Sequence, residues 1–261
     1  VNQPEVLIGE TINVHYNHST AHATSRLTKA AALIGKINTM ATSRYHRTKA
    51  ITTTAIPVMT YPTLWSLPAA STTRALRAKV MRGVWGSSAK MRATEVVLGV
   101  LNDPTRLDPC FATFANTLQT ARRVVRKDLR RYARIASDLQ TIHNAYINNN
   151  TDRYPSLPQG PAYGLYQALT VLHIEYKPIK GVPHLVFPNG ATLPLDTHHT
   201  TFYTMCIREA TRYAVLHHLE QRVNQVNHEH HTNNKHDSDD EHPDGKRTAA
   251  TRNKPPGHRK D

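Results

Sequence analysis

The sequence predicts a mainly α protein: a short N-terminal strand pair, a basic helical bundle, a small α+β region and a disordered tail. Three observations carry this reading. Apolar residues recur at helical spacing through most of residues 20–147. Short β-type runs around an Asn-Gly turn follow residue 172. Residues 227–261 contain no large apolar side chain and cannot offset the entropy of ordering. With 261 residues the chain is long enough to bury a core, and its 39% hydrophobic content accords with a solvated segment.

In order along the chain, Val6-Leu7-Ile8-Gly9 and Thr11-Ile12-Asn13-Val14 read as strand, turn and strand. Leu27, Ala30, Ala31, Ile34 and Ile37 then fall on one helical face, with Ser19 or Thr20 available as N-cap. A second helix is expected from Ser43 to Ala55, after which Pro57, Pro62 and Pro68 each remove a backbone donor and break or kink the path. A third runs from Ser71 to Trp85 on the Leu76/Val80/Val84 stripe, and a short one from Ala93 to Leu101 stops before Asn102-Asp103-Pro104. The longest helical pattern spans Pro109 to Ala136. Its buried stripe is Phe111, Phe114, Leu118, Ala121, Val125, Leu129 and Tyr132, and its solvated face carries Arg122, Arg123, Arg126, Lys127, Arg130, Arg131 and Arg134. Asn148-Asn149-Asn150-Thr151-Asp152 marks a boundary. Beyond it, Pro161 opens a helix, 174–176, 185–187 and 191–193 read as strands, Asn189-Gly190 is a turn, and a last helix covers Thr200–Val226.

Charge is distributed unevenly. Residues 1–136 hold 20 Lys/Arg against 6 Asp/Glu, whereas residues 137–261 hold 13 of each. Residues 20–92 contain 12 basic residues and no acidic one. An ordinary surface mixes signs, so a 73-residue stretch without a carboxylate points to a polyanion, whose neutralised phosphates release counterions and add affinity. Arg and Lys along rigid helices fix position on a backbone without reading bases. The competing reading is a merely solvated basic face.

Several chemistries lack their residues. There is no Gly-rich phosphate loop, no cysteine pair at zinc spacing and no close acidic pair of the kind two-metal phosphoryl transfer needs among Glu5, Glu10, Glu95, Asp103, Asp108 and Asp128. Asp239-Asp240 and the tail histidines, from His228 to His258, lie where no rigid shell is expected to hold a metal. Trp85 adjoins an apolar stripe and reads as core, although either it or Trp65 has a face on which a base could stack. No apolar run approaches the ~18 residues that cross a bilayer, so no membrane partner is expected. Cys110 and Cys206 sit at apolar positions, which fits a reducing compartment and an intracellular location, nuclear or cytoplasmic. The first residue is Val1, which accords with a fragment.

The order of motifs resembles the region downstream of the catalytic palm in reverse transcriptases of LINE-like (non-LTR) retroelements. Leu7-Ile8-Gly9 looks like the family's Leu-Gly turn closing the palm. The helix from Thr20 to Ile37 is similar to the first thumb helix, and Ile56-Pro57-Val58-Met59-Thr60-Tyr61 to the apolar-Pro-apolar-Tyr segment after the second. Leu76-Arg77-Ala78, Val84-Trp85-Gly86 and Ala93-Thr94-Glu95-Val96 resemble the following helix, its Trp end and the segment beyond. Asp108-Pro109, Gly160-Pro161-Ala162 and Ile207-Arg208-Glu209-Ala210 resemble downstream elements. The similarity covers residues 5–225 and implies a thumb-like bundle that grips a template–primer duplex. The family's palm, its catalytic aspartates and its upstream endonuclease have no counterpart here.

The expected organisation is thus 1–18, end of palm; 19–147, basic helical thumb and connection; 148–226, small α+β region; and 227–261, tail. The expected phosphate-binding residues are Arg26, Lys29, Lys36, Arg44, Arg47, Lys49, Arg74, Arg77, Lys79 and Arg82. Expected partners are RNA, an RNA–DNA hybrid or a DNA duplex, together with the absent palm. No catalytic residue, metal ligand or cofactor is assigned to this chain, and Mg²⁺ is expected only in the palm. Two alternatives stay open: a stand-alone basic helical RNA- or DNA-binding protein, and a helical module whose basic faces meet an acidic protein.

Overall fold

The computed structural model describes residues 5–7, 10–12, 21–61, 67–68, 70–86, 93–147 and 160–236. The fold is mainly α, as predicted. Two compact units divide the chain, Val1–Glu220 and Gln221–Asp261. The second contains the C-terminal part of one helix, and its residues 221–225 are exposed.

Strands β1 (Glu5–Leu7) and β2 (Glu10–Ile12) pair antiparallel, Glu5 opposite Ile12. Ile8, Gly9, Asn13 and Val14 of the expected strand pair lie outside the described residues, as do the expected N-caps Ser19 and Thr20. Helix α1 (Ala21–Thr39) buries Leu27, Ala30, Ile34 and Ile37 on the predicted face. Helix α2 (Arg44–Ala50) opens on Ser43, whose hydroxyl accepts the His46 N–H.

The path does not break at Pro57. A π-helical turn, Ile51–Ala55, leads into α3 (Ile56–Thr60), with the Ile56 N–H bonded to the Ile51 carbonyl. Proline crowds the carbonyl four residues back and lacks a donor. Widening the preceding turn accommodates both defects, so the chain stays helical. Pro62 and Trp65 lie outside the described residues. Helix α4 (Ala70–Trp85) buries Leu76, Val80 and Val84, and crosses α1 at Gly83, where a Cβ would overlap Asn38 and Ile51. A second π turn, Val96–Val100, places Gly99 flush against Val215. Asn102-Asp103-Pro104 does not only stop a helix. Asp103 caps a further short one, α5 (Pro104–Leu107), by accepting the Thr105 N–H at 3.1 Å.

The expected helix from Pro109 to Ala136 is two helices, α6 (Pro109–Lys127) and α7 (Leu129–Ile147). Asp128 is extended (φ −143°, ψ 104°), and its carboxylate accepts from the N–H groups of Arg130 and Arg131 at 3.0 and 3.2 Å. An aspartate that can cap competes with continuing the helix, and here it wins. Leu129, just past this break, is 82% exposed, opposite to its sequence assignment; so is Arg122, within α6 and 4% exposed, where Thr197, His198 and Thr200 pack over it.

Helix α8 (Pro161–Val171) ends in a Schellman turn, with Ile174 N–H on Leu169 O and His173 in the left-handed region (φ 53°). Strands β3 (Glu175–Ile179), β4 (Val182–Val186) and β5 (Thr192–Pro194) form an antiparallel meander in that order. The expected runs missed the tight turn between β3 and β4, which Lys180 (φ 51°) and Gly181 (φ 78°) make. Helix α9 (Thr200–His236) runs ten residues past the expected end at Val226, into the segment read as tail. Residues 237–261 lie outside the described set.

Two apolar clusters fill the first unit. One joins α1, α3, α4 and both π turns around Ile34, Ile51 and Leu98. The other joins α6, α7, α8, the three-stranded sheet and α9 around Leu118, Leu139, Leu165 and Tyr203. Residues on both sides of the expected boundary at 148–152, itself outside the described residues, enter this second cluster. Both cysteines are free, and burial pushes the Cys110 thiol up to about 11, with the Asp108 carboxylate acting in the same direction.

Candidate nucleic-acid interface

The ten expected basic residues lie on α1, α2 and α4, which pack against one another. Lys29, Lys36, Arg44, Lys49, Arg74, Lys79 and Arg82 are exposed. Lys29 and Lys36 are seven positions apart, two turns along the same side of α1, roughly 10 Å at helical rise. On α4 the buried stripe holds Leu76, Val80 and Val84 inward and leaves Arg74, Lys79 and Arg82 outward. The side-chain amide of Asn38 donates to the Lys79 carbonyl at 3.2 Å, tying α1 to α4 beside these cations. Among the described residues none of the seven is paired with a carboxylate.

Two arginines stack on aromatic rings at the edges of this group. Arg26, half-buried, lies 4.5 Å from the centre of the Tyr61 ring, and Arg44 lies 5.6 Å from that of Trp85. Trp85 is half-buried between these roles of core and platform. Arg47 is also half-buried, and its Nε is shielded without a hydrogen-bond partner among the described residues.

Arg77 leaves the set of phosphate-facing residues. It points inward, its Nη2 2.7 Å and Nε 2.9 Å from Asp108 Oδ2, and its Nη1 3.2 Å from Glu95 Oε1. Asp108 is fully buried and also caps α6, accepting the Cys110 N–H at 3.0 Å. Burial drives the Asp108 pKa up, against the opposing pull of Arg77 and the Cys110 amide. The two carboxylates that looked unrelated in sequence are therefore neighbours, and the guanidinium between them is their common counterion. Nothing in the spacing of residues 77, 95 and 108 announces this; it arises from α4 packing on α6 and on the second π turn.

A second group of cations, read from the sequence as a solvated face, stands outside the expected phosphate-binding set. Arg123, Arg126, Lys127, Arg130, Arg131 and Arg134 are all exposed around the α6–α7 junction. Asp128 engages Arg131 there at 3.0 Å, and Arg126 Nη2 meets His198 Nδ1 at 2.9 Å. The charge run was visible, but the break at Asp128 that bends its path was not. Among the described residues no cluster of three or more His, Cys, Asp or Glu is placed to hold a metal ion, and no helix is long and apolar enough to cross a membrane. No protein-family model, curated protein or solved structure matches the chain.

Proposed function

We propose that this chain grips a nucleic-acid duplex by its phosphates, as the thumb and post-thumb region of a LINE-like reverse transcriptase would, and that the duplex lies along α1, α2 and α4. One observation carries the reading. Seven exposed cations occupy three mutually packed helices, in a stretch of sequence without a carboxylate between residues 20 and 92. Helices give such cations a rigid base while their long stems reach the strands, which suits shape-following contact rather than base reading. Catalysis is assigned to the palm and not to these residues.

Titration of an RNA–DNA hybrid at several salt concentrations tests this. With about five phosphate contacts, log K is expected to fall against log salt with a slope of about −4 to −5. Arg74→Glu and Lys79→Glu should each weaken binding by similar factors for duplexes of unrelated sequence. A slope near zero, or preference for a single sequence, overturns the proposal. Tight binding of an acidic protein without dependence on duplex length would instead identify a protein-docking module.

A further inference from the structure

Arg122 is the most deeply buried arginine among the described residues, at 4% exposure, and no carboxylate touches it. Its guanidinium donates to the Thr197 carbonyl at 2.8 Å, the Thr200 hydroxyl at 2.6 Å and the His198 carbonyl at 3.4 Å, and it lies 5.5 Å from the Tyr203 ring. These neutral partners orient the cation without compensating its charge, and an uncompensated buried charge is costly. Burial lowers the Arg122 pKa, and the neighbouring Arg126 and Arg123 act in the same direction.

The same side chain lines a cavity of about 460 Å³ between the first π turn, α3, α5, α6 and α9. Arg106, Arg123 and Arg208 line it too, and no carboxylate does. Asp103, outside the lining, sits 3.2 Å from Arg208 and 3.8 Å from Arg106, so among the described residues a single carboxylate pairs with two of the four arginines and none pairs with Arg122 or Arg123. The amides of Asn116 and Gln119 line it, that of Asn116 also donating to the Thr60 carbonyl, and the first turn of α9 borders the space. The volume falls within the range of roughly 300–1,000 Å³ typical of small-molecule sites.

We propose that this cavity binds a multiply charged phosphate group, either of a free nucleotide or polyphosphate or at the 5′ end of a nucleic-acid strand. Arginine matches phosphate oxygens in pairs, and an excess of three positive charges favours a di- or polyanion over a monocarboxylate. The site is distinct from the outer faces of α1, α2 and α4, and the inference does not depend on the duplex proposal.

The test uses the full chain at low salt with pyrophosphate, ATP and short oligothymidylates with and without a 5′-phosphate, followed by calorimetry and thermal melting. Pyrophosphate or ATP should bind saturably and raise Tm if the source is free, and the 5′-phosphorylated strand should bind tighter than its unphosphorylated counterpart if the source is a strand end. Gln119→Glu places a carboxylate in the cavity and should weaken binding of the effective probe by roughly tenfold or more; Arg123→Gln should weaken it by a smaller factor. Both variants leave Arg122 to hold its carbonyls, and circular dichroism checks their fold. No saturable binding of any probe at about 1 mM, a concentration that detects even a weak site, overturns the proposal. So does a folded Gln119→Glu variant that binds like the unaltered chain.

Discussion

Arg74 and Arg77 lie three residues apart on α4 and serve opposite purposes. Arg74 is exposed, whereas Arg77 holds Glu95 and Asp108 in the interior. Removing one member of a buried ionic group leaves the others uncompensated, which costs about 3–5 kcal/mol. Arg77→Leu should therefore lower stability by an amount in that range in urea unfolding, whereas Arg74→Ala should stay within about 0.5 kcal/mol. Equal effects at the two positions would contradict the assignment. Charge reversal at Arg77 accordingly reports on folding and not on duplex contact. The sequence could not separate the two, because both read as cations flanking an apolar stripe; only the arrival of Glu95 and Asp108 from later segments distinguishes them.

Individual elements were legible where their signals are local. The stripes of α1 and α4 and the Pro161 start of α8 follow from periodicity and capping chemistry, and the structure has them where expected. The departures also have local causes that a reading by periodicity passes over. Asp128 caps instead of continuing a helix, and a π turn absorbs Pro57. The β3–β4 turn was missed because Lys-Gly is a weak form of the Asn-Gly signal, although both residues take positive φ as a type I′ turn requires. Lysine in the left-handed region is strained by about 1–2 kcal/mol relative to the right-handed one, a cost asparagine partly escapes. Lys180→Asn should thus raise Tm, with a gain in stability of several tenths of a kcal/mol, and Gly181→Ala should lower Tm, with a loss in stability of about 1 kcal/mol or more. A neutral result at both positions would show that this hairpin contributes little to the cooperative unit.

At the scale of the whole molecule, two partly shielded histidines couple stability to pH. Burial lowers the pKa of His143, against an opposing pull from Glu175, and burial together with His217 and His218 lowers that of His173. At these two positions the unfolded chain therefore binds more protons than the folded one below the ordinary histidine pKa of about 6.5, and the stabilisation they give above that pH is lost as pH falls through the folded values. Tm should drop between pH 7.5 and 5.5. His143→Phe, which keeps ring contacts with Tyr166 and Tyr176, should make the slope shallower; an unchanged slope would remove His143 as a source. Tertiary packing also decided which parts of the interface were legible: exposed cations on amphipathic helices announce themselves, whereas Arg122 looked equally solvated in sequence and is interior only because α9 returns over α6. The buried Arg77–Glu95–Asp108 group carries one more consequence, for descent. Replacing Arg77 alone strands two carboxylates, while joint replacement by apolar residues can be neutral, with position 108 still required to cap α6. Positions 77, 95 and 108 should then behave as one inherited character, retained or exchanged together, and a divergent relative is better sought by that covarying triplet than by the cations on the surface.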